Sequence, residues 1–323
     1  MPIKIPDGLP AKTTLHQERI FALEEEVAES QQIRPLQLVI LNLMPTKIET
    51  ETQILRLISK SPLQVSCDFM RVSSHEAKNT SADHLVKFYD TFESYRYRNY
   101  DAMIITGAPV EHLPFEQVDY WDELCQIMDW ARGHVFSTMY LCWGALAALY
   151  HYYGIPKKML GAKLFGVFPQ RLCDEYSFLT NGFDEIHNMP HSRHAAIDTG
   201  ELMLHPELIT LSEGFNSGPA LVATEDFHEI YVTGHFEYGR DTLAQEYWRD
   251  FHKGLPIRLP ENYFPDDDPE RQPIFTWRAH ANLLYRNWLN WVYQMTPYDL
   301  AEIPDAIRQL RDDTWGLADK FER

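Results

Sequence analysis

Short apolar runs rich in β-branched residues alternate along this chain with longer amphipathic segments. Leu36–Met44 (LQLVILNLM) predicts a buried strand ended by Pro45, and Glu49–Ser59 (ETETQILRLIS) a helix after it. Leu63–Val72 reads as a second strand. After the polar, aromatic stretch Lys87–Tyr100, Asp101–Thr106 (DAMIIT) reads as a third, closed by Gly107-Ala108-Pro109. Trp121–Arg132 carries Leu124, Ile127, Met128 and Ala131 at helical spacing, with Gly133 as its expected stop. His134–Leu141 is a strand that runs into Cys142, and Trp143–Tyr153 (WGALAALYHYY) is a helix ended by Gly154 and Pro156. Leu164–Phe168, Pro219–Thr224 and Glu229–Thr233 are further strands, and a last helix is predicted over Trp277–Gln294.

Such alternation implies an α/β fold around a largely parallel sheet with helices on both faces. No internal repeat or Gly/Ser linker divides the chain, and the acidic PDDDP at Pro265–Pro269 is a loop. The organisation expected is an N-terminal extension (1–34), one catalytic α/β domain (35–300) and a charged, peripheral C-terminal tail (301–323).

With 29 Lys+Arg against 47 Asp+Glu the net charge is −18, which argues against nucleic acid or an anionic membrane as a broad partner. No segment approaches the roughly 20 apolar residues of a membrane span, and the start lacks a signal-peptide core, so a cytoplasmic location is expected. Cys67, Cys125, Cys142 and Cys173 show neither metal-type pairing nor disulfide density, and are expected to be free thiols.

Cys142 stands directly between a buried strand and a helix. The free N–H groups and positive dipole of a helix N-terminus favour a thiolate there. The N–H of Trp143 is aimed where an oxyanion would form, and Gly144 permits the close packing such an elbow needs. A small cysteine buried at a strand end is the alternative, and it is the better reading for Cys67 and Cys125.

A nucleophilic cysteine needs a base and a group to orient it. His235 follows the strand ending at Thr233-Gly234, and Glu237, two residues on, faces the same side of an extended segment. The pair therefore points into one cleft at the C-terminal end of a strand, where open α/β sheets place their sites. His187, His191 and His194 (HNMPHSRH) suggest a metal, but Pro190 interrupts any helix carrying them. A polar loop facing substrate is the preferred reading of that stretch.

The segments NLMPTKIETETQ, MIITGAPVE, YLCWGALAALYHYYGI, KLFGVF, NMPHSRH, VTGHFEYGRDTL and TWRAHANLLYRNWLNWVYQ occur in this order. Together they resemble the homoserine O-acyltransferases of methionine biosynthesis, relatives of the class I glutamine amidotransferases. The resemblance runs from PIKIPDGLPA to about Tyr293. It implies a flavodoxin-like, class I glutamine amidotransferase-like three-layer sandwich and a cytoplasmic homodimer. It also implies acyl transfer from acyl-CoA to the L-homoserine hydroxyl, without a metal or a cofactor beyond the co-substrate. By the same resemblance Cys142 is the acyl-thioester cysteine, His235 the general base and Glu237 its orienting residue. Lys163, Ser192 and Arg249 match positions that hold substrate, and a buried Arg could clamp the homoserine carboxylate with two hydrogen bonds. Their bland alternatives are a strand-end charge, a loop hydroxyl and a helix-surface cation paired with Glu246 or Asp250. The oxyanion hole falls to backbone N–H groups of Trp143 and the Gly107-Ala108 loop.

Two departures sharpen the expected activity. Tyr140 stands where amidotransferases carry Gly two residues before the nucleophile, which counts against a glutaminase. Glu111, in GAPVEH, stands where succinyl-using members carry Gly. A carboxylate there takes up space and repels the distal carboxylate of a succinyl group. Acetyl-CoA is therefore the expected donor and homoserine O-acetyltransferase the expected activity. Succinyl-CoA is the nearest alternative and a cysteine amidohydrolase the more distant one. A polyanionic CoA on so acidic a chain further requires Lys and Arg gathered near the cleft.

Overall fold

The computed structural model describes residues 3–6, 8–17, 22–24, 34–75 and 79–312. Its strands are β1 (Ile3–Ile5), β2 (Ala22–Glu24), β3 (Leu36–Leu41), β4 (Val65–Arg71), β5 (Tyr89–Thr91) and β6 (Tyr100–Ile105). They continue with β7 (Val135–Leu141), β8 (Lys157–Leu172), β9 (Ile186–Ile197), β10 (Leu208–Gly214), β11 (Gly218–Thr224) and β12 (Glu229–Val232). All belong to one sheet, ordered β2-β1-β4-β3-β6-β7-β12-β11-β10-β8-β9, with β5 beside β4. From β2 to β12 the pairing is parallel, and from β12 to β9 it is antiparallel.

The principal helices are α1 (Ala11–Gln17), α2 (Lys47–Ile58), α3 (Ala82–Phe88), α4 (Trp121–His134) and α5 (Trp143–Tyr153), then α6 (Thr242–His252), α7 (Arg278–Met295) and α8 (Ile303–Asp312). Side chains on β3 alternate between two cores, as successive strand residues must. Leu38 and Ile40 pack with α2 and α7, whereas Val39 and Leu41 pack with α4 and α5. The result is the expected three-layer sandwich.

Several expected boundaries move. Gly133 does not stop its helix, which continues to His134. A glycine ends a helix by adopting the left-handed conformation, as Gly154 does at φ 70°, and Gly133 does not adopt it. The stretch expected as a loop around His187, His191 and His194 is the strand β9, paired along most of β8. Its inward positions include His187, His191 and Arg193, so the burial pattern of a strand is carried by polar residues that hydropathy does not reveal. The expected peripheral tail is also corrected over Ile303–Asp312. There Ile303, Ile307 and Leu310 are buried in the core, the helix lying beside β7 and α4, and residues 313–323 lie outside the described residues. Within the N-terminal extension, β1 and β2 lengthen the sheet and Ile5, Leu9 and Ala11 enter the core.

Candidate active site

The parallel half of the sheet brings the loops after β3, β6, β7 and β12 to one edge, where open α/β sheets bind ligands. Cys142 occupies the turn from β7 into α5 at φ 48° and ψ −114°. That conformation is strained for a residue with a side chain and is the geometry of a nucleophile elbow. It is held by the Cys142 N–H, which donates to the Val232 carbonyl at 2.7 Å. The Cys142 carbonyl accepts from Ala145 and Leu146 and so starts the helix.

Two glycines make room for the elbow. A Cβ on Gly144 would meet the Thr106 carbonyl at 2.7 Å, so α5 can approach the end of β6 only with glycine there. A Cβ on Gly107 would stand 3.2 Å from the Cys142 Cβ and 3.5 Å from the Trp143 nitrogen. The Gly107 backbone thus borders both the thiol and the first free N–H of α5, which has no acceptor within the helix.

His235 is buried, and its N–H donates to the Pro190 carbonyl on β9 at 2.8 Å. Its Nδ1 lies 2.6 Å from Glu237 Oε1, and its ring stacks on Tyr238 at 4.1 Å between centroids and 10° between planes. The other partner of the imidazole is Cys142, which is within hydrogen-bonding reach. Burial disfavours the imidazolium, but the charges and hydrogen bonds of Cys142 and Glu237 outweigh it and hold the His235 pKa well above its usual value. The arrangement is a thiol, an imidazole and a carboxylate in series, as covalent acyl transfer requires.

Lys163, Ser192 and Arg249 converge on one residue, Glu246 of α6. The Ser192 hydroxyl donates to both carboxylate oxygens at 2.9 Å, and the Lys163 ammonium bonds to Oε1. Arg249 Nη2 lies 3.8 Å from the same oxygen. Arg249 is not the buried clamp expected. Its side chain is 54 % exposed and its guanidinium is bound bidentate to Asp250. Ser192 lies on a strand rather than a loop.

Glu111 Oε1 accepts weakly from the His194 N–H at 3.4 Å. Two further residues, which the sequence did not single out, tie it to the nucleophile. Arg193, 2 % exposed, donates to His191 Nδ1 and to the carbonyls of Ala195 and Ser217. Burial pushes its pKa down to about 10 against the opposing pull of Cys142 and Glu111. Burial, Glu246, Glu237, Cys142 and Glu111 together raise Tyr238. The Tyr238 ring, stacked on His235, thus lies in the field of Glu246, Glu237, Cys142 and Glu111. His187, His191 and His194 do not share a centre: they face Ser212, Arg193 and His112 respectively.

Beside Glu237 and Tyr238 opens a cleft of about 1030 Å³ between the starts of α2, α6 and α7. Lys47 borders it, its ammonium donating to the Asn42 carbonyl at 2.5 Å. Burial pushes the Lys47 pKa down to about 8, with Glu51 opposing.

A family model described as homoserine O-succinyltransferase matches residues 2–298. The chain belongs to that family. It is accordingly an acyltransferase. It is 64 % identical over 314 residues to a homoserine O-acetyltransferase of Bifidobacterium adolescentis, covering 97 % of this chain and 90 % of that one. To a homoserine O-acetyltransferase of Clostridium acetobutylicum it is 54 % identical over 301 residues, 93 % of this chain and all of the other. Among solved structures it resembles a glutamine amidotransferase of Thermotoga maritima, at a TM-score of 0.52 and 11 % identity. That match covers 80 % of this chain and 99 % of the other. A glutamine amidotransferase of Methylobacillus flagellatus matches at a TM-score of 0.51 and 9 % identity, over 80 % and 96 %. These likenesses show the fold, that of the class I glutamine amidotransferases. Among the described residues no helix is long and apolar enough to cross a membrane.

Proposed function

We propose that this member of the family is a homoserine O-acetyltransferase that works through an acetyl-Cys142 intermediate. The observation that carries the mechanism is the elbow cysteine beside the His235–Glu237 pair at a helix N-terminus. In the reactive form of the pair the Cys142 thiolate faces the His235 imidazolium. Cys142 Sγ attacks the acetyl-CoA carbonyl, and N–H groups of Trp143 and of the Gly107-Ala108 loop stabilise the oxyanion. Collapse expels the CoA thiolate, which takes the proton from His235. Neutral His235 then removes the homoserine hydroxyl proton as that oxygen attacks the acetyl-enzyme. O-acetyl-L-homoserine leaves, and thiolate and imidazolium are restored.

Homoserine fits the Glu246 cluster. Glu246 accepts from its ammonium, while Lys163 and Arg249 are the cations for its carboxylate, with Ser192 between them. The acetyl donor is supported by Glu111, whose charge acts on Arg193 and Tyr238 together with that of Cys142. A succinyl group on Cys142 would bring a second carboxylate into this partly dry space. Tyr140 is fully buried, stacked on Tyr231, which leaves the elbow without the glycine of the glutaminases. The family resemblance adds a cytoplasmic homodimer, which sedimentation of the purified chain would test.

Mass spectrometry of the protein mixed with acetyl-CoA alone tests the reading. One acetyl group is expected on the wild type and none on Cys142→Ala. Acetylation that persists in the variant would sink the nucleophile assignment.

A further inference from the structure

The cleft beside Glu237 and Tyr238 adjoins, but is not lined by, the Glu246 cluster that the proposed reaction assigns to homoserine. Its volume of about 1030 Å³ lies at the upper end for small-molecule sites, too large for an amino acid alone. Its charge is opposite to that of the chain. Lys47, Arg56, Lys60, Arg240 and Arg278 border it against the carboxylates of Glu49, Glu237 and Asp241, on a protein of net charge −18.

Three helices also begin at its walls. The first turns of α2, α6 and α7 line it, and Thr46, Asp241 and Trp277 make no side-chain cap to them. The first-turn N–H groups of α2 and α7 add to the positive potential, whereas in α6 the Thr242 N–H donates to the Gly239 carbonyl and the Ala244 N–H to the Tyr263 hydroxyl. One side-chain donor is also open: Arg240 Nε is buried and has no hydrogen-bond partner among the described residues. At the rim Arg278 lies over the Phe275 ring at 5.5 Å, and both border the cleft. That offers a flat apolar face and a cation side by side, the pairing that suits a purine joined to phosphate.

We infer that this cleft binds the nucleotide and phosphate end of acyl-CoA. The assignment rests on the acyl-CoA reading of the triad. The phosphates lie among Arg240, Arg56, Arg278 and Lys60. The pantetheine arm passes Glu237 and Tyr238, which already hold His235, and so delivers the thioester to Cys142.

The test compares two donors, acetyl-CoA and S-acetylpantetheine, which lacks the nucleotide and its phosphates. The wild type is compared with Arg240→Gln and with Arg278→Gln, the latter at an exposed position outside the packed core. Removing a charge-assisted hydrogen bond to phosphate is expected to raise the KM for acetyl-CoA about tenfold in each variant. The advantage of acetyl-CoA over S-acetylpantetheine should narrow by the same factor, with the KM for homoserine unmoved. Variants that use acetyl-CoA as well as the wild type, or that raise both donor KM values equally, overturn the cleft assignment alone. A wild type that accepts neither donor overturns the acyl-CoA reading with it.

Discussion

Glu237 holds His235 by a 2.6 Å contact between Oε1 and Nδ1, within a buried strand-end loop whose next residue, Tyr238, stacks on the same ring. The imidazole can therefore neither rotate nor change tautomer freely, and Nε2 is left for Cys142. Glu237→Gln keeps the shape and removes the charge. Activity is expected to fall by about two to four orders of magnitude, the range seen when a triad carboxylate is neutralised. Because Cys142 and Glu237 overcome burial to keep the His235 pKa high, the alkaline limb of the pH–rate profile should move to lower pH in the variant. An unshifted limb would mean that Glu237 does not set the protonation of His235.

Glu111 shares the electrostatic surroundings of Cys142 through Arg193 and Tyr238. Glu111→Gly removes both the bulk and the repelling carboxylate. The ratio of kcat/KM for succinyl-CoA to that for acetyl-CoA is expected to rise at least tenfold, equivalent to about 1.4 kcal/mol. A donor ratio that does not change would remove position 111 from the specificity argument.

Two helical glycines should respond in opposite directions to alanine. At Gly144 the added Cβ would meet the Thr106 carbonyl at 2.7 Å, and backbone must shift to admit it. Gly144→Ala is expected to destabilise by about 1–3 kcal/mol and to displace the elbow. At Gly133, inside α4, nothing lies within 4 Å of the new atom. Gly133→Ala should stabilise by about 0.5–1 kcal/mol through helix propensity alone. Urea unfolding at neutral pH measures both, and loss of stability at Gly133 would contradict the open space seen there.

His187 is buried between Ser212 and His280, and burial, reinforced by His280, pushes its pKa from 6.5 down to about 4. The unfolded chain binds this proton near pH 6.5 while the folded one refuses it until about pH 4, so stability falls as pH drops through that window. At pH 5 the deficit relative to neutral pH from this residue is about 2 kcal/mol. His187→Asn should flatten the dependence of unfolding free energy on pH between 7 and 5. A variant that loses as much stability as the wild type would assign the acid sensitivity elsewhere.

The strand–helix order around Cys142 was legible because its elements obey hydropathy. β7 is buried throughout and mostly apolar, α5 runs over the residues expected, and the two meet at the cysteine. His235 and Glu237 were legible because a short apolar strand ends just before them. Polar burial concealed the rest. β9 buries His187, His191 and Arg193 where a strand ordinarily buries Val or Ile, so its alternation was invisible to hydropathy. Arg193 was missed for the same reason. The α8 helix was obscured by its charged face, although Ile303, Ile307 and Leu310 recur at helical spacing.

The sequence by itself determined the fold class and the family, because these follow from local periodicity and from motifs in fixed order, and it pointed to Cys142, His235 and Glu237 as the candidate triad. Only the tertiary structure decided what those motifs converge on. Glu246 gathers Lys163, Ser192 and Arg249, Arg249 proves half exposed and tied to Asp250, and Arg193 stands buried with its guanidinium on His191 and the carbonyls of Ala195 and Ser217. The cationic cleft likewise draws its walls from α2, the β12–α6 loop and α7, segments far apart in the chain. The physical reason is that spacing along a strand or helix is local. Electrostatic fields and cavities are instead made by side chains that meet only when the sheet has closed.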